Sequence, residues 1–317
     1  LKIYEYRNNL LKKAVDCDLQ CTYTNKVFIP INDALKDKTY ETEELVYAVN
    51  IAYGDMGASN DLLDIAKQQN RVIVSDVGLK VAKAIAEGKT KPFKYNPQFI
   101  RDGANGTMGG VGLLRSGNNT NQTLAVLKAG TQGMGHGHFD RLNVLFFDNN
   151  VEVLTDYGSA RFLNVETKTG GGYTKENDTW AKATIAHNTV TVDKTNQYKG
   201  EWEESEKTAP SLVYFDANKK YQVVSAEENN AYPDVKMLRT AILFQPEGAE
   251  SPLLLDVFKL RSANEHLYEL PFWYNGHLTN INFKYKSNNT QLNVLGKTDG
   301  YQHIWLNAEG NVNKPNG

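Results

Sequence analysis

His136 and His138 stand two apart in GMGHGHFDRLNVLFFDNNVEVLTDYG, residues 133–158, of a chain with only six histidines among 317 residues. Imidazole titrates near neutral pH and is a common metal ligand, so such a pair can do acid–base or metal chemistry. On an extended strand residues i and i+2 project to one side, and the spacing predicts two rings pointing the same way. Asp156 ends the next strand of the expected hairpin, and His187 begins a third strand in AHNTVTVD. Two imidazoles and one carboxylate from three neighbouring strands would make a three-ligand zinc site, with water or substrate completing the tetrahedron. On this reading the ligands are His138, Asp156 and His187. The competing reading makes them hydrogen-bonded polar groups at a sheet end, because scattered ligands have no signature as regular as paired CxxC motifs.

His136 is the imidazole left over. Glycines at 133, 135 and 137 strip side-chain bulk from its surroundings, so a ligand could approach the backbone closely. Arg161, five residues past Asp156, carries a forked donor suited to a substrate carboxylate; a surface ion pair is the alternative. Tyr173 is one of 17 tyrosines, and on the residues alone it reads as an ordinary half-buried aromatic. Cys17 and Cys21 share a helix face with poor geometry for a disulfide and read as packing thiols.

These side chains need a frame. Residues 1 to about 90 carry apolar residues at helical spacing in LLKKAVDCDLQ, ETEELVYAVNIAYG, SNDLLDIAKQQN and SDVGLKVAKAIAEG. Ser59 and Ser75 read as N-caps, and Gly54 and Gly88 as helix ends. EGKTKPFKYNPQ, near 87–98, reads as a linker. Beyond it the period becomes two, in GGVGLLRSG, QTLAVLKAG, RLNVLFFD, VEVLTD, HNTVTVD, QVVSAEEN, KMLRTAILF and SPLLLDVFKL. So many strands between Gly/Asn/Asp turns predict an antiparallel β-sandwich. One long loop, about 164–184, holds Gly170-Gly171-Gly172-Tyr173, and a loop of that length is more often functional than idle.

The formal net charge is −2, with 35 Lys and Arg against 37 Asp and Glu, and nothing in it suggests a nucleic-acid surface, which would need a basic excess. No apolar run reaches 18 residues, so no transmembrane helix is expected. The chain opens LKIYEYRNN, without Met or the regions of a signal peptide.

GMGHGHFDRLN, TDYGSARFLN, GGGYTKENDTWAKATIAHNTVTVD and the helical RNNLLKKAVD and NDALKDKTYETEELVYAVNIAYG together resemble the oligoalginate lyases of polysaccharide lyase family seventeen, within the wider heparinase II/III-like group. The resemblance runs to about residue 275. It implies a multidomain α+β chain: residues 1–92 as the C-terminal part of an α/α-toroid, and 93–317 as a heparinase II/III-like β-sandwich that stops partway. It implies zinc, structural in role, on His138, Asp156 and His187. By the same resemblance His136 is the active-site histidine, Tyr173 the catalytic tyrosine and Arg161 the substrate-binding arginine. The partner implied is an alginate oligosaccharide, with a homodimer left open, and the location is periplasmic or secreted.

The expected reaction is exolytic β-elimination: a group takes the proton from carbon-5 of a uronate, the oxygen on carbon-4 departs, and an unsaturated uronate is released. Cationic or hydrogen-bonding groups must stabilise the charge that develops. A tyrosine acting as base needs its phenol pKa lowered, as nearby positive charge would do. The family's other catalytic tyrosine and its Asn-His pair would lie upstream of residue 1, since no histidine precedes 136; the chain is therefore expected to be part of a longer enzyme. The alternatives are a glycosaminoglycan lyase, against which the absence of basic character in GGGYTKENDTW speaks, a non-catalytic carbohydrate-binding fragment, and a metal hydrolase.

Overall fold

The computed structural model describes residues 3–36, 38–118, 121–161, 172–288 and 290–311. Four helices come first: α1 (Leu10–Gln20), α2 (Glu43–Gly54), α3 (Leu62–Gln69) and α4 (Asp76–Ala86). Their apolar faces meet through Val15, Leu19, Val49, Leu63, Ile65 and Val81, all buried. The Ser75 hydroxyl accepts from Gly78 N, capping α4 as the sequence predicts. At α3 the cap is Asp61 rather than Ser59, and Ser59 donates to the Asp61 carboxylate instead. Cys17 and Cys21 are free. No described helix is long and apolar enough to cross a membrane.

The strands form two main antiparallel sheets. In the first, β1 (Gln98–Arg101), β2 (Gly109–Asn118), β3 (Asn121–Gly130), β4 (Asn143–Asp148) and β5 (Val151–Leu154) lie in chain order. Asn149 and Asn150, with φ of 50° and 61°, make the two-residue turn between β4 and β5, where Asp148 pairs with Val151. A short strand β6 (Thr191–Val192) and a single helical turn α5 (Trp202–Glu206) follow. The second sheet comprises β7 (Ser211–Ala217), β8 (Tyr221–Tyr232), β9 (Val235–Phe244) and β10 (Leu253–Ser262), again hydrogen-bonded in sequence order. β11 (Tyr268–Glu269) pairs with β6, and a small outlying pair joins β12 (Tyr285–Ser287) to β13 (Ala308–Gly310).

Period two sorts the first sheet's side chains onto two buried faces. Leu114, Ala125, Leu127 and Val144 meet Val224, Ala226, Met237 and Leu243 of the second sheet. The alternate residues Leu113, Leu124, Val126, Leu145 and Phe147 pack on Tyr23 and Ile29, from the segment after α1. Tyr23 stacks on Phe147 with ring centroids 4.2 Å apart. That segment is pinned across the outer face of the first sheet and leads directly into Asn32 and Asp33.

Two features differ from the sequence expectation. HNTVTVD forms a strand only at Thr191–Val192, because His187 and Asn188 spend their hydrogen-bonding groups on the site below. The chain after Tyr173 is not an open loop: Asn177–Ala181 forms a π-helical turn and Thr184–Ala186 a 3-10 turn. Residues 162–171, which include Gly170 and Gly171, lie outside the described residues. SLVYFDA, β7, carries no clean alternation, and its burial is mixed along its length.

Candidate active site

Between β3 and β4 the chain does not run extended through the two histidines. Met134–His136 is a 3-10 turn, entered through Gly133 at φ 84°. Only glycine fits at 137, where a Cβ would stand 1.4 Å from the Gln132 carbonyl oxygen. The turn sends the two rings apart: the His136 side chain is 74 % exposed and that of His138 is 0 % exposed. The strand reading, which pointed both rings the same way, is corrected here. The glycines act by allowing the turn.

His138 joins Asp156 and His187 in a buried cluster whose ligand atoms all lie within 4.8 Å of one another. Asp156 lies two residues past β5 and is held on both oxygens. Oδ2 accepts from Asn143 Nδ2 at 2.8 Å and from His187 Nδ1 at 2.9 Å, and Oδ1 accepts from Gly158 N at 3.0 Å. Gly158 sits at φ 68°, and a Cβ there would stand 2.5 Å from the Ala34 carbonyl oxygen. His187 follows the Thr184–Ala186 turn, and its backbone N–H bonds back to Thr184. Asn188 fixes this exit: Nδ2 donates to the carbonyls of Val144 and Thr155, and Oδ1 accepts from Trp273 N. Nearby, the buried Lys128 pairs with Asp140 and with Asn32.

Burial alone would protonate Asp156, yet the facing His187 and His138 and the Gly158 N–H hold its carboxyl well below the usual carboxylate range. Burial works against charge on His187 too, but Asp156 and Asp140 raise its pKa. Burial lowers that of His138, with Asp33 opposing. Two buried ring nitrogens, His138 Nδ1 and His187 Nε2, have no hydrogen-bond partner. Buried ring nitrogens without a partner are rare. Two imidazoles and a carboxylate are the donor set of a zinc-type cation, so these residues fit one.

Asp33 was not singled out in the sequence, and it joins this cluster to the exposed histidine. Its Oδ2 lies 3.0 Å from His136 Nδ1, and its Oδ1 lies 3.2 Å from His138 Nε2 and accepts from Asn177 Nδ2 at 3.0 Å. Burial would raise its pKa, but His138, Asn177 and His136 outweigh that and hold it at about 2. Asp33 sits in the stretch NDALKDKTYETEELVYAVNIAYG, but more than a hundred residues from its partners, so no local spacing could flag it. Asn177 was missed for the same reason; its Oδ1 also accepts from Ala160 N at 2.8 Å.

Tyr173 and Arg161 complete the open side. They face each other in an isolated antiparallel bridge, with the Arg161 Cζ 4.8 Å from the Tyr173 ring centroid. The Tyr173 hydroxyl lies 3.4 Å from His136 Nδ1. Its pKa is raised, first by burial and then by the Asp33 charge, against the opposing Arg161. The phenol is thus not lowered as a base would need: burial first, and then the Asp33 charge, outweigh Arg161. Arg161 also lines a cavity of about 430 Å³ together with Tyr157, Trp180, Trp273 and Asn275. Lys36 lines it too, but is paired with Glu152 at 2.6 Å.

The structure thus brings all six sequence-derived candidates into one region: three buried donors, and the exposed His136 with the half-buried Tyr173 and Arg161, joined to them by Asp33.

Comparison with known proteins places this arrangement in context. An exo-oligoalginate lyase of Saccharophagus degradans is 45 % identical over 305 residues, 96 % of this chain and 41 % of the relative. An alginate lyase of Stenotrophomonas maltophilia is 46 % identical over 307 residues, 97 % of this chain and again 41 % of the relative. The chain therefore spans about two-fifths of the length of these curated relatives. Two solved heparinase III structures share the fold at 16 % and 15 % identity, with TM-scores of 0.59 and 0.58; they cover 90 % and 96 % of this chain, which covers 40 % and 44 % of them. Residues 101–316 match the family described as heparinase II/III-like, C-terminal. With two-thirds of its length inside that match, the chain belongs to the heparinase II/III-like C-terminal family.

Proposed function

We propose that this chain supplies part of the active site of a polysaccharide lyase that cuts alginate oligosaccharides by β-elimination, releasing an unsaturated uronate from a chain end. The observation that carries the reading is Tyr173, in contact with the exposed His136 on one side and with Arg161 on the other, beside a buried donor cluster. The substrate class and the exolytic mode rest on the 45 % identity to a relative named exo-oligoalginate lyase. On this reading α1–α4, within residues 1–92, form the C-terminal part of an α/α-toroid, and residues 93–317 form the β-sandwich that follows. The protein works in the periplasm or outside the cell, where alginate oligosaccharides are met.

The chemistry follows from the residue types. The carbon-5 proton of a uronate is weakly acidic while the neighbouring carboxylate is ionised, so positive charge beside that carboxylate lowers the barrier. Arg161 offers a forked cation for it. Tyr173 holds its proton at rest, because burial and Asp33 disfavour the phenolate. It is therefore placed to donate that proton to the departing oxygen on carbon-4, and reaches the base role only above its raised pKa. His136, beside the same hydroxyl, takes the carbon-5 proton on the ring nitrogen that Asp33 does not engage, so one proton leaves carbon-5 as another reaches the carbon-4 oxygen. Zinc, held by His138, Asp156 and His187, would fix the chain ends that aim His136; no step needs to pass through it.

An ultraviolet assay tests this directly. The purified protein is mixed with polymannuronate, polyguluronate or heparan sulfate, and the conjugated alkene that only elimination creates is followed. A rise with either alginate polymer supports the reading. A rise confined to heparan sulfate reassigns the substrate, and cleavage without a double bond would replace the lyase by a hydrolase.

A further inference from the structure

We infer that Asp33 is a positioning carboxylate that sets the tautomers of both histidines, making Nε2 the acceptor nitrogen of His136 and Nδ1 the donor atom of His138 toward a metal. The lyase part of this rests on the function proposed above; the tautomers do not.

An ionised carboxylate only accepts hydrogen bonds. Each imidazole that contacts Asp33 must therefore bring an N–H to it. His136 does so through Nδ1 at 3.0 Å, which leaves Nε2 with its lone pair on a ring standing open to solvent. His138 does so through Nε2 at 3.2 Å, which leaves the lone pair on Nδ1. That nitrogen is the buried His138 atom without a hydrogen-bond partner. The orphan is thus what Asp33 would produce if the Nδ1 lone pair were reserved for a cation. Carboxylates that accept from the far nitrogen of a ligating histidine fix both its tautomer and its ring orientation.

Asp33 is itself held firmly. Its side chain is 6 % exposed, Asn177 Nδ2 donates to Oδ1 at 3.0 Å, and its backbone N–H donates to the His136 carbonyl at 3.1 Å. The segment leading to it is anchored by Tyr23 and Ile29 on the first sheet. One carboxylate therefore transmits the position of the buried donors to the exposed imidazole, through two hydrogen bonds and no intervening water.

The test is nitrogen-15 spectroscopy of histidine-labelled, metal-loaded protein at pH 8 without substrate, paired with kinetics. Wild-type protein should show His136 as the Nδ1–H tautomer and His138 as Nε2–H. Asp33→Asn keeps the shape while losing the obligate acceptor, and should move His136 toward the Nε2–H form. On the proposed lyase activity it should lower kcat by about 10- to 100-fold, the range for loss of such an orienting partner, with a smaller change in KM. An Nε2–H tautomer for His136 in the wild type, which needs no variant to fold, overturns the proposal. So does a His136 spectrum unchanged in Asp33→Asn. If the tautomer shifts as expected while the whole enzyme, with the segment that completes the site, forms no alkene with any polymer, Asp33 keeps its role and the lyase reading falls.

Discussion

Arg161 lies across the ring of Tyr173, its guanidinium carbon 4.8 Å from the ring centroid. Arg161 also lines the open cavity, and no salt bridge to it occurs among the described residues. On the function proposed above, that cation meets a substrate carboxylate. Arg161→Ala is expected to raise KM for oligoalginate about tenfold, in line with ~1.5 kcal/mol for one hydrogen bond to a charged group. An unchanged KM would remove Arg161 from substrate binding.

Tyr173 should carry turnover without carrying affinity. Tyr173→Phe keeps the ring under Arg161 and removes only the hydroxyl. Loss of a positioned proton donor costs roughly 10²- to 10⁴-fold in rate, so kcat should fall by that much while binding of the oligosaccharide persists. Near-wild-type turnover would sink the role. The raised phenol also sets a pH signature. A tyrosine that must be protonated at rest keeps its activity up to its folded-state pKa and loses it as pH rises through that value. Arg161 lowers that pKa, so Arg161→Ala should carry the alkaline fall in kcat to higher pH; a fall that moves to lower pH would contradict it.

The contrast between His138 and Asp33 shows what can be read from a linear sequence. His138, Asp156 and His187 are legible because histidines are few and because each lies beside a stretch of strand-like period. Arg161 and Tyr173 gain meaning only through resemblance, since nothing in a lone Arg or a tyrosine among 17 marks it. Asp33 has no local signal at all. It enters the site because Tyr23 and Ile29 pin its segment to the first sheet, and packing of that kind is invisible to periodicity. Glycine spacing at 133–137 was visible, but its consequence was not: the missing Cβ at Gly137 permits a turn that no other residue could make there, and the turn separates the two rings that a strand would have aligned. β7 escaped notice because its outward residues Val213 and Tyr214 are apolar and half exposed, which blurs the alternation.

Acid should loosen the link between the two halves of the site. Asp33 has a folded pKa of about 2, below the ~3.9 of an unfolded aspartate. A depressed carboxylate contributes stability that is fully present above the unfolded value and lost as pH falls through the folded one. Urea midpoints measured from pH 5 down to pH 2 should therefore drop more steeply in the wild type than in Asp33→Asn, which has no proton to take up there. Parallel curves for the two proteins would show that Asp33 contributes nothing to acid stability.

Arg239 ties the second sheet to the site from below. It is fully buried, forks onto Asp256 at 2.8 and 2.6 Å, and donates through Nη1 to the carbonyls of Leu142, at 2.8 Å, and Asn188. Removing one partner of a buried pair leaves the other charge uncompensated, at a cost of about 3 kcal/mol or more. Arg239→Met should lower the urea midpoint by that equivalent and, because Asn188 adjoins His187, should also weaken metal retention. A variant as stable as the wild type would show that Asp256, whose side chain is 20 % exposed, is solvated well enough to need no partner.

His138→Ala separates a metal centre from a buried ion pair. If His138, Asp156 and His187 hold zinc, the variant loses a nitrogen ligand and should show less bound metal and a lower Tm together, and chelation of the wild type should reproduce the same drop. If the cluster works only through protein contacts, Asp156 and His187 remain paired at 2.9 Å in the variant. Chelator would then leave the wild-type Tm unchanged, while His138→Ala would lose only the packing of one buried ring, on the order of 2–3 kcal/mol. Metal analysis decides between them: stoichiometric zinc in a correctly folded His138→Ala protein would strike His138 from the ligand set, whatever its effect on stability.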